Sequence, residues 1–331
     1  MKPISHLPRP IGLLAALLSA LLLVRRDDVS SASQPTITFV GTFAEADDPS
    51  FARFRTALGS AWPTRLLPPT LRYYEGGNLD EARLHRAVSV AAAERPTVLV
   101  LPTGDSAALA ASLQHDASIV FASYLDPVRK GIVDAVRRPG RRTTGISLAD
   151  NLDLKRLELL KDAFPRTRTV AMLADSSWLA DHDADQLAAD AASRLGLRLL
   201  VRQADTPEAL EALLASPLAS ACDAWYIPPT YVAYLAETRI IAAMRQLRLP
   251  AIHADDGEFA NGAQMAYSHD TRFTYDALAE LARRVALGED AGSIPIQRPY
   301  RYTLSVRIEP DAPWARIEPS VVRRADRVHR P

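Results

Sequence analysis

The chain has 331 residues, 48% apolar and 24% charged, which is enough for about two globular domains with sizeable cores. Its 39 basic side chains equal its 39 acidic ones, so the basic excess typical of nucleic-acid-binding proteins is missing. The single cysteine, Cys222, excludes a disulfide within this chain and a zinc site built from several cysteines.

The first 34 residues differ in character from the rest. Basic residues precede an uninterrupted apolar run at 11–24, which is shorter than the roughly 20 residues of a membrane-spanning helix. This pattern predicts a secretory signal peptide, cleaved after Ala32. The Arg-Arg pair directly behind the apolar run also fits an uncleaved N-terminal anchor, so both interpretations stay open. We therefore exclude residues 1–34 from the fold.

From residue 35 onward, short apolar runs typical of strands alternate with amphipathic helical patterns. In the first series, Asp126 and Pro127 follow the fourth strand and predict the N-cap and first position of a short helix that ends at Pro139–Gly140. The strand that comes next is predicted to carry the chain to a second lobe. The predicted strands of this series are 36–42, 71–76, 97–102, 118–124 and 143–148, and the helices between the first four begin near residues 49, 79 and 105.

A second series of alternating elements follows. A strand at 262–270 and a helix at 271–288 then suggest a return to the first lobe. Alternation of this kind predicts an α/β fold with two doubly wound parallel-sheet lobes, whose ligands bind beyond the carboxyl ends of the strands. The predicted helices of the second series are 152–164, 183–196, 206–215, 230–248 and 319–328, and its strands are 169–175, 197–204, 223–229, 249–255 and 300–308.

Three stretches carry a resemblance to a known family. FASYLDPVRKGIVDAVRRPGRRTTGIS, followed by LDLKRLELLKDAFPRTRTVAML, resembles the signature of a bacterial ABC-transporter substrate-binding protein family that includes tryptophan- and tyrosine-binding members. LPAIHADDGEFANGAQMAYSHD and the C-terminal IQRPYRYTLSVRIEPDAPWARIEPSVVRRADRV resemble later stretches of the same family. The resemblance runs in order from about Thr36 to Val328.

The resemblance implies the type I periplasmic binding protein fold, in which a three-strand hinge joins two lobes. The expected N-terminal lobe is 35–147 plus 258–292, and the expected C-terminal lobe is 148–257 plus 293–331. It also implies a receptor in the periplasm that hands a small organic ligand, such as an amino acid or aromatic compound, to an ABC permease and ATPase. A membrane-anchored ligand sensor of the same fold is the alternative. We expect a monomer with no cofactor, no nucleic-acid partner and no enzymatic activity.

Polar and aromatic residues at the predicted strand ends form the candidate ligand site. Thr103 and Ser106 at a helix start suit a ligand carboxylate, but simple N-capping explains them equally well. Asp105 would repel a carboxylate and favour an amine, and Tyr231 could equally be a packing residue. The candidates are Thr42, Phe43, Thr103, Gly104, Asp105, Ser106, Ser123, Tyr124 and Asp126 in the first lobe, with Ser176, Ser177, Thr230, Tyr231 and Asp255 in the second.

The sequence shows no local motif of catalysis. It contains no GxGxxG, no GxxxxGK[ST], no HExxH and no GxSxG. His253, Asp255 and Asp256 resemble a metal cluster in composition, but side chains on an extended strand alternate between faces and converge poorly on one ion. We therefore predict no catalytic and no metal-binding residues.

Overall fold

The computed structural model describes residues 34–77, 80–269, 271–299 and 301–330. The predicted signal peptide or anchor lies outside the described residues, except for Gln34. Among the described residues, no helix is both long and apolar enough to cross a bilayer.

The first lobe contains a five-stranded parallel sheet with the order β2-β1-β3-β4-β5. Its strands read as nearly continuous apolar runs because both faces of the sheet are covered. Alternate residues of β3 show this, since Val98 and Val100 pack into one core while Leu99 and Leu101 pack into the other. The strands are β1 (Thr36–Gly41), β2 (Thr70–Glu75), β3 (Val98–Leu101), β4 (Ser118–Ser123) and β5 (Thr143–Ser147).

Helices cover both faces of this sheet. In the first helix, Phe51, Phe54 and Leu58 recur at helical spacing and are all buried. Burial of each such side chain stabilises the fold by about 1.5–3 kcal/mol. Helices α1 (Pro49–Ala61) and α12 (Thr271–Ala286) pack on one face, while α2 (Glu81–Ala93) and α3 (Gly104–Ser112) pack on the other.

The second lobe contains a seven-stranded sheet with the order β12-β11-β10-β9-β8-β6-β7. The sheet is parallel except that the last two strands run the opposite way, since β11 pairs antiparallel with β10 and parallel with β12. Its strands are β6 (Thr169–Ala174), β7 (Arg198–Gln203), β8 (Ala224–Ile227), β9 (Ala251–His253), β10 (Met265–His269), β11 (Tyr302–Arg307) and β12 (Arg327–His329).

Most helix boundaries of the second lobe follow local capping signals. Gly196 ends α6 with a φ of 62°, and Thr206 caps α7 ahead of a proline, as the sequence predicts. The helix predicted at 230–248 is instead two helices, because Ala236 leaves helical geometry. The helices are α4 (Asp153–Ala163), α5 (Ser176–Asp181), α6 (Ala184–Leu195), α7 (Pro207–Ala215), α8 (Pro217–Ser220), α9 (Tyr231–Leu235), α10 (Glu237–Leu247), α11 (Asp256–Ala260) and α13 (Pro319–Arg324).

The segment between β4 and β5 is a series of turns, so the helix predicted there is wrong. Asp126 does accept hydrogen bonds from the N–H groups of Val128 and Arg129, at 2.9 and 3.1 Å. The turn ends at Gly131, whose φ of +69° is left-handed and incompatible with continuing the helix. Ile132 and the following valine still pack into the first lobe, whereas Val128, which begins the apolar pattern, is 41% exposed.

The chain crosses between the lobes three times. It leaves the first lobe after β5, returns between β10 and α12, and crosses again between Gln297 and β11. The segment predicted to return at 258–292 differs, because β10 pairs with β9 in the second sheet. The helix α12 alone packs against the first sheet, and Gln297 then bridges to Ile146 of β5. The helix predicted at 319–328 ends at Arg324 and is followed by β12.

Candidate ligand-binding site

The carboxyl ends of the two sheets face each other across a cavity of about 420 Å³. Loops after β1, β3 and β4 form its first-lobe wall, and loops after β6, β8 and β9 form the wall opposite. This is the position at which open α/β sheets bind ligands, and the volume lies in the range of small-molecule sites.

The first-lobe wall is built on the start of α3. The hydroxyl of Thr103 accepts a hydrogen bond from the N–H of Ser106 at 3.3 Å, which fixes the helix start beside the cavity. Gly104 has no room for a side chain, since a Cβ would lie 3.1 Å from Leu125 and closer still to Ser123. Asp105 follows at the cavity surface.

The second-lobe wall is held together by the carboxylate of Asp175. One oxygen accepts from the N–H of Trp178 and the other from the N–H of Tyr231, both at 2.8 Å. This single side chain therefore joins the starts of α5 and α9. The indole of Trp178 is 3% exposed and stacks on His182 with 4.4 Å between ring centroids. The wall is accordingly aromatic and joined by hydrogen bonds.

Direct contacts join the two lobes around the cavity. The Tyr124 hydroxyl donates to Asp255 at 2.9 Å, and burial together with that carboxylate raises the pKa of Tyr124, so it remains a donor. Arg129 donates to the carbonyl of Asp181 at 2.8 Å. The ammonium of Lys130 lies 3.6 Å from the carboxylate of the same aspartate. The lobes thus meet over the cavity in this arrangement.

Carboxylates dominate the charge of the cavity wall. Partial desolvation in the cavity wall raises the pKa of Asp105, although this residue is still exposed to solvent. Burial also raises the pKa of Glu237, whose carboxylate accepts from the Asn261 amide at 2.7 Å. Within the described ranges, no three His, Cys, Asp or Glu side chains converge as a metal site.

Nine of the fourteen candidates predicted from the sequence line the cavity. They share a position in the first residues after a strand, which is why the strand-end rule could find them. Their role in ligand binding stays a prediction. The nine are Thr42, Thr103, Gly104, Asp105, Tyr124, Ser177, Thr230, Tyr231 and Asp255.

The other five do not line the cavity, and the prediction of their position is wrong because nearby groups hold them elsewhere. Ser106 and Ser123 are buried, and their hydroxyls donate to backbone carbonyls at 2.9 and 2.8 Å. Asp126 caps the turn that follows it. The Ser176 hydroxyl accepts a hydrogen bond from a glutamine amide at 3.0 Å. The Phe43 ring packs on a tyrosine ring, with 5.7 Å between the ring centroids.

Several lining residues were missed because they lie on helices rather than directly behind strands. Ser50 and Arg53 come from α1, and Thr274 and Tyr275 from α12. The hydroxyls of Ser50 and Tyr275 are 2.6 Å apart although 225 residues separate them in the chain. No local pattern signals such a contact. Glu237 at the start of α10 was hidden by the prediction of one continuous helix.

Fold and cavity together define a two-lobe α/β protein with a ligand-sized cavity between its lobes. The sequence profile described as "ABC transporter substrate binding protein" matches residues 73–309, well over half of the chain. The chain belongs to this family.

The chain is also similar to a distant relative. A tyrosine-binding protein of Clostridioides difficile (strain R20291) is 23% identical over 191 residues, which cover 58% of this chain and 55% of that protein. The match therefore spans about half the length of that relative.

Solved structures agree in fold. A conserved domain protein from Vibrio cholerae has a TM-score of 0.78 at 19% identity, covering 89% of this chain and 99% of that one. An ABC domain in complex with L-Trp from Streptococcus pneumonia has a TM-score of 0.77 at 17% identity, covering 89% and 100%.

Proposed function

We propose that this protein is the solute receptor of an ABC importer. It binds a small organic solute, an amino acid or aromatic compound, and delivers it to a permease and ATPase complex. It acts as a periplasmic monomer without enzymatic activity. The observation that carries the proposal is the cavity walled by both lobes in a chain of this family. The tyrosine and L-Trp named for two similar proteins support this ligand class.

The lining suits an amphipathic ligand. Tyr124, Trp178, Tyr231, Tyr234 and Tyr275 supply aromatic surface from both lobes. Hydroxyl and carboxylate groups lie between these rings. An apolar wall with a few polar groups is the usual composition of a small-molecule site.

Closure of the lobes explains how binding becomes a signal for the transporter. The contacts from Tyr124 to Asp255 and from Lys130 to Asp181 form only when the lobes meet. A ligand that touches both walls binds the closed arrangement better than an open one, and this difference in affinity shifts the equilibrium towards closure. The closed receptor then presents a surface that differs from that of the open form.

A thermal-shift screen against amino acids, aromatic acids and other small metabolites tests the proposal. A solute present at about 100 times its Kd stabilises the folded protein by roughly 2.7 kcal/mol and so raises its melting temperature. X-ray scattering should show a smaller radius of gyration with that solute. The proposal fails if no solute stabilises the protein, or if uptake of the bound solute by cells is unchanged after deletion of the protein.

Variants of single residues test whether the solute binds in the cavity. Tyr231→Ala should weaken affinity because the ring forms part of the wall, while its backbone N–H to Asp175 is kept. Ser176→Ala is the matched control, since this serine is close by but outside the cavity. Equal affinities for the two variants would contradict the assignment of the cavity as the site.

A further inference from the structure

The cavity is lined by more acidic than basic groups. Its described lining residues include four carboxylates, one guanidinium and two imidazoles: those of Asp105, Asp175, Glu237 and Asp255, of Arg53, and of His182 and His269. A ligand that enters this site therefore meets more carboxylates than cationic groups. These carboxylates differ in whether the protein supplies them with hydrogen-bond donors.

Three of the four are engaged by protein donors. Asp175 accepts from two backbone N–H groups. Asp255 accepts from the Tyr124 hydroxyl at 2.9 Å and from a backbone N–H. Glu237 accepts from an asparagine amide. These three carboxylates hold parts of the fold together through hydrogen bonds, and this structural role explains their presence without a ligand.

Asp105 is the exception. Its carboxylate makes no hydrogen bond or ion pair with any residue that the structure describes. The charges that act on it most strongly are those of Lys130 and three acids, Asp175, Asp181 and Glu81. Asp105 is exposed to solvent at the cavity surface, so a ligand that enters the cavity can reach its carboxylate. Lys130 is shared, because it lies 3.6 Å from Asp181. The N-terminal turn of α3 favours a negative charge, but it supplies no cation.

Aromatic faces and an unpaired hydroxyl provide independent signs of a ligand. The stacked rings of Trp178 and His182, and those of Tyr231 and Tyr234 with centroids 6.4 Å apart, line the same cavity. Such faces attract organic cations and also accept a flat apolar body. Thr274 is 5% exposed, lines the cavity, and has a hydroxyl with no partner among the described residues.

Arg53 reaches the cavity from a different helix than Asp105. It lies on α1, with its guanidinium 6.0 Å from the ring centroid of Tyr275 on α12. Those two helices cover one face of the first sheet, while α3, which carries Asp105, covers the other. A carboxylate on the same carbon as a ligand ammonium would therefore lie beside Asp105 and its acidic neighbours, where it is repelled.

We infer that the ligand is a protonated aromatic amine without a neighbouring carboxylate, and that Asp105 receives its ammonium group. This inference rests on the proposed function and narrows its ligand class. On this inference the protein is not a receptor for aromatic amino acids, because those carry a carboxylate next to the amine. Asp105 is accordingly the residue that determines specificity, and the tyrosine and tryptophan rings hold the aromatic body.

Calorimetry with three matched probes tests the ligand class. Tyramine carries only the amine, tyrosine carries amine and carboxylate, and 3-(4-hydroxyphenyl)propionate carries only the carboxylate. We expect tyramine to bind at least about tenfold more tightly than tyrosine, and the acid not to bind. Tighter binding of tyrosine overturns the inference and leaves the proposed receptor function standing. Absence of binding by all three overturns the inference, and a screen without any stabilising solute counts against the receptor function as well.

A pair of variants tests the role of the residue. Asp105→Asn keeps the shape and removes the charge, so tyramine affinity should fall about tenfold to 100-fold. Asp126→Asn is the control, since that carboxylate lies outside the cavity, and its affinity should stay at the wild-type value. Melting temperatures without ligand establish that both variants are folded. Wild-type tyramine affinity in a folded Asp105→Asn protein overturns the assignment.

Discussion

Replacement of Arg156 by methionine should destabilise the second lobe strongly. This arginine is 1% exposed, and its two terminal nitrogens donate to the two oxygens of Asp150 at 3.0 and 2.8 Å. Its Nε donates to the Tyr267 carbonyl at 2.9 Å. It therefore ties the first crossover between the lobes to both α4 and β10. Burial opposes the charge of Arg156, but its hydrogen bonds and ion pair with the Asp150 carboxylate and the nearby carboxylate of Asp153 help to raise its pKa.

The size of the effect follows from what the substitution leaves behind. Methionine fills much of the volume but removes three hydrogen bonds, and the buried carboxylate of Asp150 loses its counter-charge. Loss of one partner of a buried ion pair costs about 3–5 kcal/mol. Adding Asp150→Asn to Arg156→Met should restore part of this loss, because the uncompensated charge is then gone.

Urea unfolding followed by tryptophan fluorescence measures the loss, since Trp178 and Trp225 are buried in the second lobe. Lys155→Met is the matched control on the same helix. Its ion pair with Glu158 is exposed, so we expect a loss of under about 1 kcal/mol. A loss of under about 1 kcal/mol for Arg156→Met, or strictly additive losses in the double variant, would refute the reasoning.

Further expected outcomes concern the cavity and the sheet. Tyr124→Phe should weaken ligand affinity about tenfold by removing a hydrogen bond between the lobes; unchanged affinity in calorimetry would contradict this. Burial raises the pKa of Glu237, so the folded protein binds that proton more tightly than the unfolded chain, and the charged form costs stability at neutral pH. Glu237→Gln should therefore raise the melting temperature at pH 7.5, with a gain that shrinks as the pH falls through the raised pKa; a gain independent of pH would count against it. Gly145→Ala should lose about 1–3 kcal/mol because its Cβ would overlap the Phe121 carbonyl, whereas Gly59→Ala, with open space around it, should gain about 0.5–1 kcal/mol in the same urea assay.

The alternation of strands and helices was readable because each element carries its own period. Phe51, Phe54 and Leu58 mark α1, and the cap at Thr206 with its following proline marks the start of α7. The same use of periodicity led to the wrong prediction of a helix after Asp126. The apolar residues of this segment recur at helical spacing in the sequence, but Val128 is 41% exposed and Gly131 ends the turn in a left-handed conformation.

The sequence could predict a cavity-lining residue where that residue comes soon after the end of a strand. Thr103 and Tyr231 lie immediately after strands, and the rule places such residues in the cleft. The rule fails for Ser106 and Ser123, because hydrogen bonds to nearby carbonyls turn their hydroxyls away. Sequence position cannot distinguish these outcomes, which depend on the local rotamer.

The sequence by itself determined the family, the two-lobe α/β architecture and several of the loops that line the cavity, because these depend on local periodicity, capping and an ordered set of motifs. Only the tertiary structure decided which lobe holds β10, how α1 and α12 contribute to the cavity wall, and which lining carboxylate has no partner among the described residues. Those features depend on pairings between residues far apart in the chain, such as Ser50 with Tyr275 and Tyr124 with Asp255. Asp105 can be read in the sequence as an acid at a helix start, but only the structure shows that no described residue gives its carboxylate a hydrogen bond or an ion pair.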